Sequence, residues 1–301
     1  MIYIVGTGAI GKSLATFLRL AGQSVTLIRA SVDDQPASVE AIRLQLPEDV
    51  ELTAEVPVQT FSQLKDIEGP VLVACKAFGN KSLAAKLALK NADFPIVLLQ
   101  NGLNVEQPFL DHGFTQVYRC VLMVTSQFTD LGFISFKPVA PCPIGVIAGG
   151  AGQLDEVLQQ LQNPWFPFYL ENEIQPLIWK KAITNCVFNS ICPLLDTDNG
   201  IFYRSDHALE LADRIILECI GVAKLSGISL NHREIRTMLL SISQRSEGQL
   251  ISTLQDIRNG RRTEIEMLNL EILRLAREFN MEHLVRETRI LGELTDIKSR
   301  L

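Results

Sequence analysis

The sequence predicts an α/β N-terminal region, a Rossmann-type doubly wound parallel sheet, joined to an all-helical C-terminal domain. Three observations carry this reading. Apolar strand-like runs alternate with helical segments through the first half. A Gly-x-Gly-x-x-Gly motif lies between the first strand-like run and the first helical one. From Ile174 onward the long segments have helical periodicity and none reads as strand. The expected division is residues 1–172 and residues 173–301.

Ile2-Tyr3-Ile4-Val5 is a short buried strand, and Gly6-Thr7-Gly8-Ala9-Ile10-Gly11 follows it directly. Lys12 to Ala21 then shows helical spacing through Leu14, Phe17 and Leu18. In this frame Gly6 allows the tight turn and Gly8 lets backbone approach a pyrophosphate. Gly11 lets the helix pack closely on the strand, and the helix N-terminus offers free N–H groups to phosphates. The second strand, Ser24 to Ile28, ends at Arg29, where an NAD site would carry an acid for the ribose hydroxyls. A guanidinium suits a 2′-phosphate instead, with Ser31 as a second donor, so NADP is expected over NAD.

Val39 to Leu46 and Val50 to Val58 alternate as a hairpin. Pro70 to Cys75 is a buried parallel strand with Lys76 at its C-terminal end, the edge where open α/β sheets bind ligands. Lys81 to Lys90 is a helix. Pro95 to Leu99 is a strand ending in Gln100-Asn101-Gly102, which puts Asn101 at the same edge. Gln116 to Thr125 and Gly132 to Lys137 read as further strands, and Gly149 to Gly152 as a loop before a helix at Leu154 to Leu161.

In the second half, Trp179 to Asn189 is apolar nearly all round its helical surface, as a buried helix is. Lys181, Asn185 and Asn189 nevertheless share one face at i, i+4 and i+8. Buried amides and an ammonium need partners, and the stripe suits either a bound ligand or an internal hydrogen-bond network. Lys180 aligns with Thr184 and Phe188 instead. Asp206 to Ser226 is a second long helix, and Arg233 to Ile257 holds more helix, including Ser252. Thr263-Glu264-Ile265-Glu266 reads as a capping box with Thr263 at the N-cap and Glu266 at N3, leaving Glu264 in the first turn for other work.

The chain has 301 residues, is 47% hydrophobic and 21% charged, and carries a net charge of −6. It is long enough for one large or two ordinary globular domains. The acidic balance argues against nucleic acid as a partner. No apolar run is long enough for a membrane span, and the N-terminus lacks the basic region of a signal peptide, so a cytoplasmic protein is expected. The six cysteines are scattered and form no Cys-x-x-Cys pair, and the four histidines do not cluster, so no metal site is expected.

Taken together, these residues resemble the ketopantoate reductase (2-dehydropantoate 2-reductase) family. The resemblance rests on the N-terminal glycine motif, Lys76-Ala77, Gln100-Asn101-Gly102, Lys181-x3-Asn185-x3-Asn189 and Gln255-Asp256-x6-Thr263-Glu264-Ile265-Glu266-x2-Asn269. It implies NADPH-dependent reduction of a 2-oxo acid, ketopantoate, to pantoate, on the route to pantothenate and coenzyme A. It implies Lys181 as general acid, with Glu264 the catalytic carboxylate near it. Asn185 and Asn189 would contact substrate, Ser252 the substrate carboxylate, and Asn101 both nicotinamide and substrate. Gly6, Thr7, Gly8, Ala9, Ile10, Gly11, Arg29 and Lys76 would bind NADP. The expected partner is a small 2-oxo acid, with a homodimer as the assembly to test. Two other readings stay open: a reductase of a different small 2-oxo acid on the same scaffold, and a non-catalytic NADP-binding sensor.

Overall fold

The computed structural model describes residues 1–90, 93–129 and 131–301. The elements in chain order are β1 (Ile2–Val5), α1 (Ala9–Leu20), β2 (Val25–Arg29), β3 (Ser38–Gln45), β4 (Glu51–Thr60), β5 (Val71–Val73), α2 (Asn80–Ala88) and β6 (Ile96–Leu98). They continue with α3 (Gln107–Asp111), β7 (Val117–Cys120), β8 (Val124–Phe128), β9 (Ile134–Pro138), β10 (Cys142–Ala148), α4 (Ala151–Gln160) and β11 (Phe168–Leu170). Helices then run to the end: α5 (Ile174–Leu195), α6 (Ile201–Arg204), α7 (Asp206–Leu225), α8 (His232–Arg245), α9 (Ser252–Arg258), α10 (Asn269–Glu278) and α11 (Arg286–Lys298).

The chain divides into two compact units. One comprises residues 1–100 and 105–174, the other residues 101–104 and 175–301. Among the described residues of the first, the strands form one sheet in the order β11-β10-β7-β6-β5-β1-β2-β4-β3-β9-β8. The run from β7 through β6, β5, β1 and β2 to β4 is parallel. Its central strands β1, β5 and β6 are apolar on both faces, as parallel strands covered on both sides must be, and are buried along their whole lengths. Phe17 of α1 is fully buried and meets Phe136 edge-on at 4.8 Å and Trp165 in a stack at 5.6 Å. The helix ends where Gly22, at φ +83, turns the chain and Gln23 N–H bonds back to the Leu18 carbonyl.

The sheet departs from a purely parallel one. β3 and β4 form the antiparallel hairpin read from alternation, and β8 pairs β9 antiparallel. The stretch expected as one strand from Gln116 to Thr125 is two, β7 and β8, which join opposite parts of the sheet. β10 and β11 were not expected. The sequence Pro141-Cys142-Pro143 argues against a strand, but the Pro143 carbonyl still accepts from Val121 N–H at 3.0 Å, so the ladder tolerates its missing donor.

In the helical unit α7 and α8 each begin with a residue that caps them. The Ser205 hydroxyl accepts from Ala208 N–H at the start of α7, and Asn231 accepts from Glu234 N–H at the start of α8. The Glu218 carboxylate on α7 accepts from Glu287 N–H (3.0 Å), Thr288 N–H (2.8 Å) and Thr288 Oγ1 (2.6 Å), so it caps α11 from a neighbouring helix. The capping box expected at Thr263 and Glu266 does not form. Ile265–Met267 is a single 3-10 turn, α10 starts only at Asn269, and Glu266 instead accepts from Arg262 at 2.6 Å. The arginine one residue before the expected cap captures the carboxylate that the backbone would have needed.

Candidate active site

The glycine loop is built as a phosphate cradle. Gly6 has φ +120, and a Cβ there would stand 2.6 Å from Cys75 N. A Cβ on Gly11 would stand 2.0 Å from the Gly6 carbonyl oxygen. Both positions therefore exclude any side chain, for reasons internal to the fold. Gly8 differs, because a Cβ there would meet nothing within 4 Å. Its glycine keeps open a space that the protein itself does not fill. α1 begins at Ala9 with no side-chain cap and no acidic residue in its first turn, so Ala9, Ile10 and Gly11 bring free N–H groups to that space. Thr7 lies in the loop between strand and helix. This cradle fits a dinucleotide pyrophosphate.

Gly6 N–H bonds to Ile28 O at 2.9 Å, which sets Arg29 beside the loop. The Arg29 guanidinium donates to Ser38 Oγ at 2.8 Å and to Pro36 O at 3.2 Å. Ser38 thus sets a hydroxyl against that guanidinium. Lys76 follows Cys75, whose backbone lies against Gly6, so it stands at the loop's other side.

A buried amide pair, missed in the sequence, fixes the strand ends at this edge. Asn80 donates to Gln100 Oε1 at 2.8 Å and Gln100 donates back to Asn80 Oδ1 at 2.7 Å. Asn80 also donates to Val105 O at 2.7 Å, and Gln100 to Cys75 O at 2.8 Å. Beneath them the buried Arg119 guanidinium pairs with the Glu106 carboxylate and reaches Gln100 O at 3.4 Å. The end of β5, which carries Lys76, is thus tied to the end of β6. Nothing in the sequence near Asn80 distinguishes it from an ordinary helix-start asparagine.

In the helical unit, α5 carries Lys181, Asn185 and Asn189 on one face, while Ile183, Cys186 and Val187 are fully buried. Lys181 and Asn185 are half-buried, and Asn189 is buried. Asn189 Oδ1 accepts from Thr253 Oγ1 at 2.7 Å, which brings the stripe to the N-terminus of α9, where exposed Ser252 is the first residue. Lys180 turns elsewhere and pairs with Glu234 at 2.6 Å. Glu264 is half-buried, one residue before the 3-10 turn. The loop carrying Asn101 docks on that turn. Leu103 N–H bonds to Met267 O at 3.0 Å, and a Cβ on Gly102 (φ +102) would stand 2.7 Å from Met267 Cβ. Asn104 donates to Glu271 Oε1 at 2.7 Å. The geometry therefore joins Asn189 to the Ser252 end of α9, and Asn101 to the segment that follows Glu264.

The family model for ketopantoate reductase PanE/ApbA matches residues 2–148, and the model of its C-terminal domain matches residues 173–291. The chain belongs to the ketopantoate reductase family. Ketopantoate reductases are oxidoreductases, and relatives span the whole chain. It is 26% identical to a 2-dehydropantoate 2-reductase of Archaeoglobus fulgidus over 100% of this chain and 98% of that protein. It is 26% identical to one of Pyrococcus abyssi over 93% and 92% of the two chains. Among solved structures, the fold matches a ternary structure of D-mandelate dehydrogenase with NADH and anilino(oxo)acetate at TM-score 0.84 and 20% identity, covering 99% of this chain and 98% of that one. It matches the dimeric ketopantoate reductase of Staphylococcus aureus at TM-score 0.82 and 20% identity, over 99% and 98%. No helix among the described residues of this family member is long and apolar enough to cross a membrane.

Proposed function

We propose that the protein reduces ketopantoate to pantoate with NADPH, as a cytoplasmic enzyme of pantothenate and coenzyme A biosynthesis. The observation that carries this reading is the face of α5, where Lys181 and Asn185 stay half-buried beside an Asn189 tied to α9. A helix otherwise packed in a core keeps a cation and amides in line only where they have polar work to do.

Bound NADPH would supply the hydride. Residues 1–172 would serve as the NADP-binding domain, with Gly6 to Gly11, Arg29, Lys76 and Asn101 as its contacts. Residues 173–301 would serve as the substrate and catalytic domain. Negative charge grows on the substrate carbonyl oxygen as it is reduced. An ammonium at Lys181, hydrogen-bonded to that oxygen, stabilises the charge and then gives up a proton to it. A carboxylate at Glu264 holds the ammonium charged and oriented. Asn185 and Asn189 orient the substrate, and Ser252, at an exposed helix N-terminus, receives its carboxylate. A homodimer is the proposed assembly.

The test is NADPH oxidation, followed by absorbance, with ketopantoate and a panel of other 2-oxo acids. Fast turnover with ketopantoate alone supports the reading. Turnover only with another 2-oxo acid keeps the chemistry and replaces the substrate. Tight nucleotide binding with no turnover on any member would replace the enzyme by a nucleotide sensor. The fold match to a D-mandelate dehydrogenase makes aromatic 2-oxo acids the second class in that panel.

A further inference from the structure

The end of β2 holds one group whose presence the cofactor reading leaves unexplained. Glu40, on β3, sends its carboxylate to Lys12 Nζ at 2.6 Å and to Arg29 Nη2 at 3.5 Å. Lys12 lies in the first turns of α1, and Arg29 ends β2 beside Gly6. Lys12, in the helix that follows the glycine loop, and Arg29, beside Gly6, therefore share one anion. The Arg29 side chain is 14% exposed and that of Glu40 30% exposed, so water screens this cluster only in part. The hairpin fixes the register, with Glu40 opposite Val56 and Ser38 opposite Val58, so the carboxylate is not at the tip of a free loop.

A nucleotide ribose at this strand end meets either hydroxyls alone or a 2′-phosphate. A 2′-phosphate seeks the Arg29 guanidinium. Here that guanidinium is already engaged by Ser38, Pro36 and Glu40, and a phosphate arriving beside it would face a carboxylate of like charge. Unphosphorylated ribose has no such conflict. Its 2′-hydroxyl can donate to a carboxylate, as it does to the acid that ends the second strand in NAD sites. In this chain the acid would come from the third strand instead of the second.

We propose that Glu40 is a specificity-determining residue that opposes the 2′-phosphate and opens the site to NADH alongside NADPH. The proposal rests on the dinucleotide reading of the glycine loop. Glu40 acts by occupying Arg29 and Lys12 and by accepting from the ribose 2′-hydroxyl. It takes no part in hydride or proton transfer.

The experiment is titration of the purified protein with NADPH and with NADH, followed by the fluorescence of the bound nicotinamide, for wild type, Glu40→Gln and Glu40→Ala. Thermal melts of each variant establish folding, and the second variant serves if the first does not fold. The expected result is that both nucleotides bind wild type. In the variants the ratio of NADH to NADPH dissociation constants should rise about fivefold to tenfold, the scale of one like-charge contact at a partly screened site. Most of the change should appear as tighter NADPH binding. An unchanged ratio with both nucleotides bound would overturn the role of Glu40 and leave the dinucleotide site intact. Failure of wild type to bind either nucleotide would remove the dinucleotide reading and this proposal together. Added salt gives a further discriminator, because it should narrow the difference between wild type and Glu40→Gln in NADPH affinity far more than the corresponding difference in NADH affinity.

Discussion

At the residue scale, two lysines adjacent in sequence receive different tasks from the helix period. Lys180 is spent on an ion pair with Glu234, whose carboxylate is 60% exposed, and such a pair is worth about 0–1 kcal/mol. Lys180→Ala is expected to leave turnover close to wild type. Lys181→Ala is expected to lower kcat by about 10²–10⁴-fold while nucleotide binding survives. Steady-state kinetics beside a fluorescence titration checks both, and a dead Lys180→Ala with an active Lys181→Ala would reverse the assignment. For Arg29, the Arg29→Asp variant should lower the ratio of NADPH to NADH efficiencies, read as kcat/KM for each nucleotide. No change in that ratio would remove Arg29 from the 2′-phosphate.

At the element scale, the glycine loop separates glycines the fold needs from one the ligand needs. Gly11→Ala places a methyl 2.0 Å from the Gly6 carbonyl oxygen, so α1 must move and the melting temperature must fall. Gly8→Ala meets open space, so its melting temperature should stay near wild type while nucleotide affinity drops. Equal melting losses in both variants would count against a cradle kept open at Gly8. The contact between α5 and α9 makes a similar division. Thr253 is buried and donates to Asn189, so Asn189→Ala strands its hydroxyl and should cost about 1–3 kcal/mol on denaturant unfolding. If Asn189 also meets substrate, KM rises in a variant that is still folded at the assay temperature. The loop after β2 carries a pH dependence. Asp33 has its carboxyl held below the usual range, first by the hydrogen bond from Ser62 N–H and then by Lys86. A depressed carboxyl contributes stability that is present above its unfolded value near 3.8 and lost as pH falls through the lower folded value. Asp33→Asn should therefore flatten the loss of melting temperature on acidification below about pH 4. An unaltered acid limb would show that this tie contributes nothing to folding.

At the scale of the whole molecule, the cysteines report how tightly the core is closed. Cys120, Cys142, Cys186, Cys192 and Cys219 are buried, and Cys75 alone is half-buried. Burial pushes the Cys192 thiol up to about 12, and burial with the neighbouring Cys219 pushes Cys186 well above its ordinary value. At pH 8 the native protein should expose one fast-reacting thiol to an aromatic disulfide reagent, and all six of its cysteines after unfolding. Several fast thiols in the native state would show that the helical core opens readily.

Local chemistry by itself determined the first strand-turn-helix, because the glycines, the apolar strand and the helical spacing are contiguous from Ile2 to Leu20. It likewise determined the α5 stripe, which depends only on the helical period, and the fold class, a Rossmann-type sheet followed by helices, which depends on how apolar residues repeat. Long-range pairing decided the rest. The break between β7 and β8 and the addition of β10 and β11 follow from which edges the sheet had left to pair. The Glu266 carboxylate went to Arg262 when a capping box was expected, since a nearby guanidinium competes with a backbone N–H for the same oxygens. Glu40, opposite Val56 in a hairpin read correctly as a hairpin, carried no sign in the sequence that its carboxylate would reach Lys12 and Arg29. A charge acquires its partners from the packing of distant elements, and sequence spacing encodes only the partners a helix or strand can offer itself.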